Sequence, residues 1–221
     1  MIDAAKQRTN MVESQVMTSD VTDRRILQTM RSLPRERFVP RPYATLAYMD
    51  EAVPLTVSGT HCHALLPPRA LSKLLQLANV GEKDRVLDVG AGSGYSAAVL
   101  AGIARSVVAL ECDTALADEM RSALRLLTIG NVRVVVGELA DGWPAEGPYD
   151  VILLDGSIAE RPQALLDQLK EGGRLVAIVK DGRIGKGTIW RRLGRSFDSR
   201  TSFDAAAPPL PGFEPAPVFA L

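Results

Sequence analysis

The segment Val86-Leu87-Asp88-Val89-Gly90-Ala91-Gly92-Ser93-Gly94-Tyr95-Ser96 concentrates the residue types that can hold a ligand. An apolar run leads into a G-x-G-x-G turn and then into a helical stretch. Glycines remove Cβ atoms where a backbone must turn sharply and let a ligand approach. The start of the following helix adds N–H donors and a favourable dipole. A second acid, Glu111, ends the run Ser106–Leu110, 17 positions beyond Gly94. A carboxylate there can accept both hydroxyls of a ribose, so turn and acid together form a nucleoside-binding signature. The dinucleotide pattern G-x-G-x-x-G serves a pyrophosphate. Here the third glycine comes one place early, and Asp88 just before the turn would repel a pyrophosphate but could hold a cationic amino group. S-adenosylmethionine carries an amino acid, a sulfonium and a ribose, and no phosphate, so the chemistry favours it over NAD. The expected cofactor contacts are Asp88, Gly90, Ala91, Gly92, Ser93, Gly94, Tyr95, Glu111 and the adjoining Cys112.

Two later strand ends extend this set. Val134-Val135-Val136-Gly137 leads to Glu138 and Leu139, where an adenine would lie. Val151-Ile152-Leu153-Leu154 leads to Asp155, near the expected methyl, or else capping a helix. His61-Cys62-His63 has the look of a metal cluster. Zinc needs three or four protein ligands, and only Cys112 remains as a distant soft partner, so no metal is expected. No Ser-His-Asp or Cys-His arrangement stands out.

These residues need strands to carry them and helices to cover them. Strands are expected at Arg85–Val89, Ser106–Leu110, Val132–Val136, Tyr149–Leu154 and Arg174–Val179, and helices at Ser96–Ile103, Asp113–Leu127 and Pro162–Leu169. Such alternation predicts an α/β fold with a doubly wound, mostly parallel sheet of Rossmann-like type. Residues 1–80 read as an N-terminal helical and substrate-loop region, and 81–221 as the cofactor-binding α/β domain of one compact unit. Within 1–80, Asp3–Met17 is a weak helix, Thr22 or Asp23 caps a second, and Pro67-Pro68 open a third over Ala70–Ala78. Ile189–Leu193 and Arg200–Phe203 read as late antiparallel strands. The proline-rich tail from Pro208 cannot be a central strand, and either packs over the domain or is disordered.

Composition narrows the partners. Lys plus Arg and Asp plus Glu each number 26 in 221 residues, so the formal net charge is zero. That disfavours a general nucleic-acid binder, whose affinity rests on excess positive charge. No window approaches the ~20 apolar residues of a bilayer span, and no signal-peptide pattern opens the chain. Cysteine is scarce, with Cys62 and Cys112 alone, and a cytoplasmic location is the expectation.

The stretch VLDVGAGSGYSAAVLA resembles the cofactor loop of the protein-L-isoaspartate O-methyltransferase family. Similar blocks follow in the family's order. They are Arg35-Glu36-Arg37-Phe38-Val39-Pro40, Tyr48-Met49-Asp50 with Pro54-Leu55, Asn131-Val132, Pro148-Tyr149-Asp150, and Gln168 through Val176. The resemblance implies an S-adenosylmethionine-dependent enzyme that methylates isoaspartyl carboxylates of damaged protein or peptide. The family's substrate-loop serine falls on Leu66 when counted back without gaps from Val86, and Leu66 cannot hydrogen-bond. A shifted loop would bring Thr60, His61 or His63 to that role. Asp155 also replaces a small uncharged family residue, and would suit an acceptor with a proton to lose. Three other readings stay open at this point: the same scaffold with another acceptor, a cofactor-binding protein without turnover, and a nicotinamide oxidoreductase.

Overall fold

The computed structural model describes residues 3–55, 63–181 and 184–213. The N-terminal region is helical. Helix α1 (Ala4–Met11) is capped by Asp3, whose carboxylate accepts from the Ala5 and Lys6 N–H groups. It runs on as a π turn over Val12–Val16 and a 3-10 turn over Met17–Ser19, so the expected helix is continuous but widens midway. Helix α2 (Arg24–Ser32) starts on Asp23 and buries Ile26, Leu27 and Met30 on one face. Two short strands, β1 (Val53–Pro54) and β2 (Ala64–Leu65), pair antiparallel on either side of residues 56–62, and α3 (Pro68–Ala78) follows with Pro68 in its first turn. Proline suits that place because the first helical N–H has no partner inside the helix.

The α/β unit then alternates β3 (Arg85–Val89), α4 (Tyr95–Ala101), β4 (Ser106–Glu111), α5 (Thr114–Leu126), β5 (Val132–Val136), β6 (Tyr149–Ile158), α6 (Gln163–Leu166), β7 (Leu169–Asp181), β8 (Ile184–Leu193) and β9 (Ser196–Asp204). The sheet order is β5-β4-β3-β6-β7-β8-β9. The first five neighbours run parallel, and β8 and β9 return antiparallel. Strand β3 lies at the centre of the five parallel strands with Val86–Val89 fully covered, as a strand between two helical layers must be. Chain order reverses between β3 and β6, and a ligand of an open α/β sheet binds beyond the carboxyl ends at such a switch.

Two expectations change. The strand expected to stop at Leu154 continues to Ile158. Between Leu153 and Ser157 it takes four steps while β7 takes two, from Val176 to Ile178, so Asp155 and Gly156 lie in a bulge inside the strand. The helix expected over 162–169 shrinks to Gln163–Leu166, because Leu169 already pairs with Tyr149 at the first residues of β7 and β6. One apolar core reaches from Met11 of α1 to Ile189 of β8, and a second fills the other face around Leu87, Ile152 and Leu175. Among the described residues, no helix is long and apolar enough to cross a membrane.

Arg174 of β7 ties the layers together. Its guanidinium donates to the Ala78 and Asn79 carbonyls at the end of α3, each at 2.6 Å, and pairs with Asp84 at 2.6 Å. A cation suits a helix C-terminus, where carbonyls lack partners. Replacing Arg174 by methionine is expected to cost about 2–3 kcal/mol, because charged hydrogen bonds are lost and Asp84 is left without its partner. Thermal unfolding should show Tm lower by roughly 4–12 °C, and an unchanged Tm would refute this strut.

Candidate active site

The glycine turn connects β3 to α4, and its shape follows from backbone angles that side chains resist. Gly90, Gly92 and Gly94 have φ of 74°, 56° and 95°. A Cβ on Gly90 would lie 2.5 Å from Leu210, and one on Gly92 would lie 2.6 Å from Leu55. The turn is therefore roofed by one leucine from the N-terminal region and one from the tail. The Gly90 and Ala91 N–H groups bond to the Leu110 carbonyl, which fixes the turn against β4.

Glu111 ends β4 with no solvent exposure. Its Oε2 accepts from the Gly92 N–H at 2.8 Å, and its Oε1 accepts from the Cys112 and Asp113 N–H groups at 2.8 and 3.0 Å. Three backbone donors hold this carboxylate in one orientation beside the turn. His63 Nε2 stands 3.5 Å from Glu111 Oε1 and 3.5 Å from Cys112 Sγ. The thiol is half-buried, and burial together with Glu111 pushes its pKa up to about 12.

Asp88, fully buried, accepts from the Ser96 hydroxyl through Oδ2 at 2.7 Å, while its Oδ1 has no partner. Asp155, 6% exposed, likewise leaves Oδ1 buried without a partner. Burial raises the pKa of both acids. Each Asp88 charge is further opposed by Asp155, and Asp155 rises to about 7 although Ser96 and Arg35 draw it down. Two unsatisfied buried carboxyl oxygens at a strand switch are costly unless a cation joins them. An amino-acid ammonium supplies that charge, and the Glu111 carboxylate beside a Cβ-free turn suits a ribose. The residues therefore fit S-adenosylmethionine, with Asp88 and Asp155 for its amine and Glu111 for its sugar.

The chain matches the family model described as protein-L-isoaspartate(D-aspartate) O-methyltransferase over residues 6–194. It belongs to that family. Its relatives include the protein-L-isoaspartate O-methyltransferase of Methanoculleus marisnigri, 38% identical over 79% of this chain and 77% of the relative. A second, from Rhodopseudomonas palustris, is 41% identical over 79% and 70% respectively. In fold it is similar to a Plasmodium falciparum protein of that description, solved in complex with S-adenosyl-L-homocysteine. The TM-score is 0.75 at 21% identity, with 92% of this chain and 97% of the other covered. The chain is thus an S-adenosylmethionine-dependent O-methyltransferase.

Within this methyltransferase the expected residues separate into groups. Asp88, Gly90, Ala91, Gly92, Glu111, Cys112 and Asp155 converge at the carboxyl ends of β3, β4 and β6. Leu139 is buried against Gly90, and Glu138 is exposed near Cys112. Ser93 and Tyr95 face away. The Ser93 hydroxyl donates to the Phe38 carbonyl, and the Tyr95 ring packs edge-on against Phe38 with Arg35 stacked 4.6 Å above it. Their side chains tie the R-E-R-F-V-P block to the cofactor loop. Leu66 packs in the apolar core. It is fully buried, and its carbonyl receives the Arg35 guanidinium at 2.6 Å. The residue of this segment that meets Glu111 is His63. Thr60 and His61 lie outside the described residues. Sequence reasoning missed Ser96, Leu55 and Leu210. Ser96, on the first turn after the glycines, was the legible one.

Seating of a cofactor amine by Asp88 and Asp155 would make its binding proton-linked. Without a cation the folded site holds a proton to about pH 7, whereas an unfolded aspartate releases it near ~4. The Asp155 contribution to stability is therefore present below ~4 and lost as pH rises to about 7. Binding an ammonium favours the ionised pair, so S-adenosylhomocysteine should bind more tightly at pH 8 than at pH 6 and release protons. Calorimetry in buffers of different ionisation enthalpy reads this release. Asp155→Asn should reduce it and should raise the Tm of the free protein more at pH 8 than at pH 5. Binding that is pH-independent in the native protein would refute the pairing.

Proposed function

We propose that the chain methyl-esterifies isoaspartyl carboxylates in protein or peptide substrates, using Asp88 and Asp155 to seat the methionine amine and Glu111 to seat the ribose. The observation that carries this reading is the pair of buried carboxyl oxygens, lacking partners, beside a tethered glutamate and a glycine cradle. The relatives named for isoaspartate supply the acceptor class.

When bound, the cofactor supplies an activated methyl on a positive sulfur. The acceptor carboxylate has a reference pKa near ~4 and is already ionised at neutral pH, so no strong general base is needed. The chain's residues bind, align and dry the site. Alignment of attacking and receiving atoms can lower the barrier by up to ~7–11 kcal/mol. Leu55 and Leu210 roof the cradle with apolar surface and exclude water. Arg35, buried close enough to lower the pKa of Asp155, adds the nearest positive charge. Asp155 would repel an anionic acceptor if it stood alone. With Asp88 and Asp155 around one ammonium, and the Arg35 guanidinium acting on Asp155 as a second positive charge, the two negative charges are offset and the anionic acceptor is admitted. His63 lies on the loop side of the site, where the chain leaves residues 56–62.

An isoaspartyl peptide incubated with methyl-labelled cofactor should gain base-labile methyl ester, while the matched aspartyl peptide should not. Equal labelling of both, or of neither, would overturn the acceptor assignment. Glu111→Gln should weaken S-adenosylhomocysteine binding by roughly 10–100-fold, the value of a buried charged hydrogen bond. Circular dichroism would verify that this variant still folds, since Glu111 also anchors three backbone donors. Native affinity in a folded variant would remove Glu111 from the site.

A further inference from the structure

We propose that His63, Glu111 and Cys112 form a site for a thiophilic divalent cation, zinc being the fitting chemistry, whose occupancy excludes the methyl donor. The exclusion rests on the reading of Glu111 as the ribose ligand; the metal site itself does not.

The geometry comes from three side chains brought together by two elements. His63 precedes β2, Glu111 closes β4, and Cys112 follows it. One ligand atom from each lies within 4.8 Å of the others. His63 Nε2 is 3.5 Å from both Glu111 Oε1 and Cys112 Sγ. Zinc bonds of about 2.0–2.1 Å to nitrogen and 2.3 Å to sulfur, opened to a tetrahedral angle, separate the two ligand atoms by about 3.5 Å. The two distances from His63 therefore match a shared ion, and the Glu111 and Cys112 atoms lie within 4.8 Å of each other. The ligand types match too, since imidazole, carboxylate and thiolate together select zinc over magnesium or calcium.

The surroundings are those of a constructed site. The His63 and Glu111 side chains are 2% and 0% exposed. The three backbone N–H groups on Glu111 fix its orientation, which is the part outer partners play around metal ligands. Three protein ligands leave a fourth position for water. On binding, the Cys112 S–H bond breaks, a sulfur–metal bond forms, and the proton leaves to solvent. The two negative ligands then balance the ion's double charge. A metal ion at the Glu111 carboxylate draws on its negative charge and stands where ribose hydroxyls would approach it, so ion and nucleoside compete for one carboxylate.

Cobalt(II) serves as a spectroscopic probe for zinc on the reduced full-length chain. Titration should give a near-ultraviolet thiolate-to-cobalt band and visible bands of a four-coordinate ion. The thiolate band should vanish in Cys112→Ser, weaken in His63→Ala and persist in Cys62→Ser, which tests the neighbouring cysteine. Saturating S-adenosylhomocysteine should remove the bands. Zinc at ten times its own Kd should raise the apparent Kd for S-adenosylhomocysteine roughly tenfold, as competition requires. No thiolate band in a folded native protein overturns the site, as does a band that survives Cys112→Ser or depends on Cys62. Bands that persist under bound S-adenosylhomocysteine overturn the exclusion. A band that depends on Cys112 and His63, in a protein with no affinity for S-adenosylhomocysteine, supports the metal site and instead removes the functional reading of Glu111.

Discussion

Burying a charge in protein costs several kcal/mol unless partners replace the lost water. The end of this sheet buries three acids, and each is handled differently. Glu111 is satisfied by three backbone donors. Asp88 is half satisfied by Ser96, and Asp155 keeps one oxygen wholly without a partner. The fold therefore satisfies one acid through the backbone and leaves the other two dependent on a proton or a cation. That difference assigns their roles. A group satisfied by backbone can accept hydroxyls without altering its charge, whereas an unsatisfied pair discriminates for a positive ligand. The remaining elements exist, from the standpoint of the site, to keep this arrangement dry and fixed.

The walls come from outside the central alternation of strands and helices. Arg35 is fully buried, donates to the Ala47 and Leu66 carbonyls and stacks on Tyr95. It binds the N-terminal region to the first turn of α4 at the point where the cofactor loop ends. The tail does the same on the other side. Ser157 exchanges backbone hydrogen bonds with Pro208 and Leu210, and its hydroxyl donates to the Ala207 carbonyl. This seats Leu210 over Gly90 and Gly156. Proline at 208 and 209 has no N–H to satisfy, so the segment can lie against the β6 bulge without leaving buried donors. The bulge and the tail are thus one device: the extra residues of β6 both project Asp155 and expose the Ser157 backbone that the tail uses.

Much of this was legible because it is local. The glycine turn, Asp88, Glu111, the Asp23 cap and Pro68 at a helix start follow from backbone conformation and from orphan donors, which neighbouring residues decide. What stayed hidden was decided at long range. The β6 bulge depends on the register with β7, and Leu169 joins the sheet because Tyr149 is waiting for it. Tyr95 and Ser93, read as ligand contacts from their place in the turn, face Phe38 and Arg35 because the N-terminal block lies across them. The count back from Val86 placed Leu66 at the family's serine position, but nothing local shows that its carbonyl takes the Arg35 guanidinium from 31 positions away. Cys112 looked distant from His63 because 49 positions of chain separate them, and only the fold brings the two side chains together.

The charge arithmetic of the reaction explains why such a pocket suits this transfer. Moving a methyl from a sulfonium to a carboxylate removes one positive and one negative charge and leaves a neutral thioether and a neutral ester. Water stabilises the charged reactants more than the neutral products. A pocket that strips water therefore raises the reactants relative to the dispersed charge of the transition state. The glycine cradle, roofed by Leu55 and Leu210, provides that dryness. In the proposed reading Asp88 and Asp155 serve the opposite end, where the amine keeps its charge throughout and a permanent ionic contact costs nothing in the chemical step. Uniform binding of that kind holds the donor without impeding transfer. The division of the site into an ionic anchor and an apolar reaction zone is what allows three acids to line a pocket that receives a fourth.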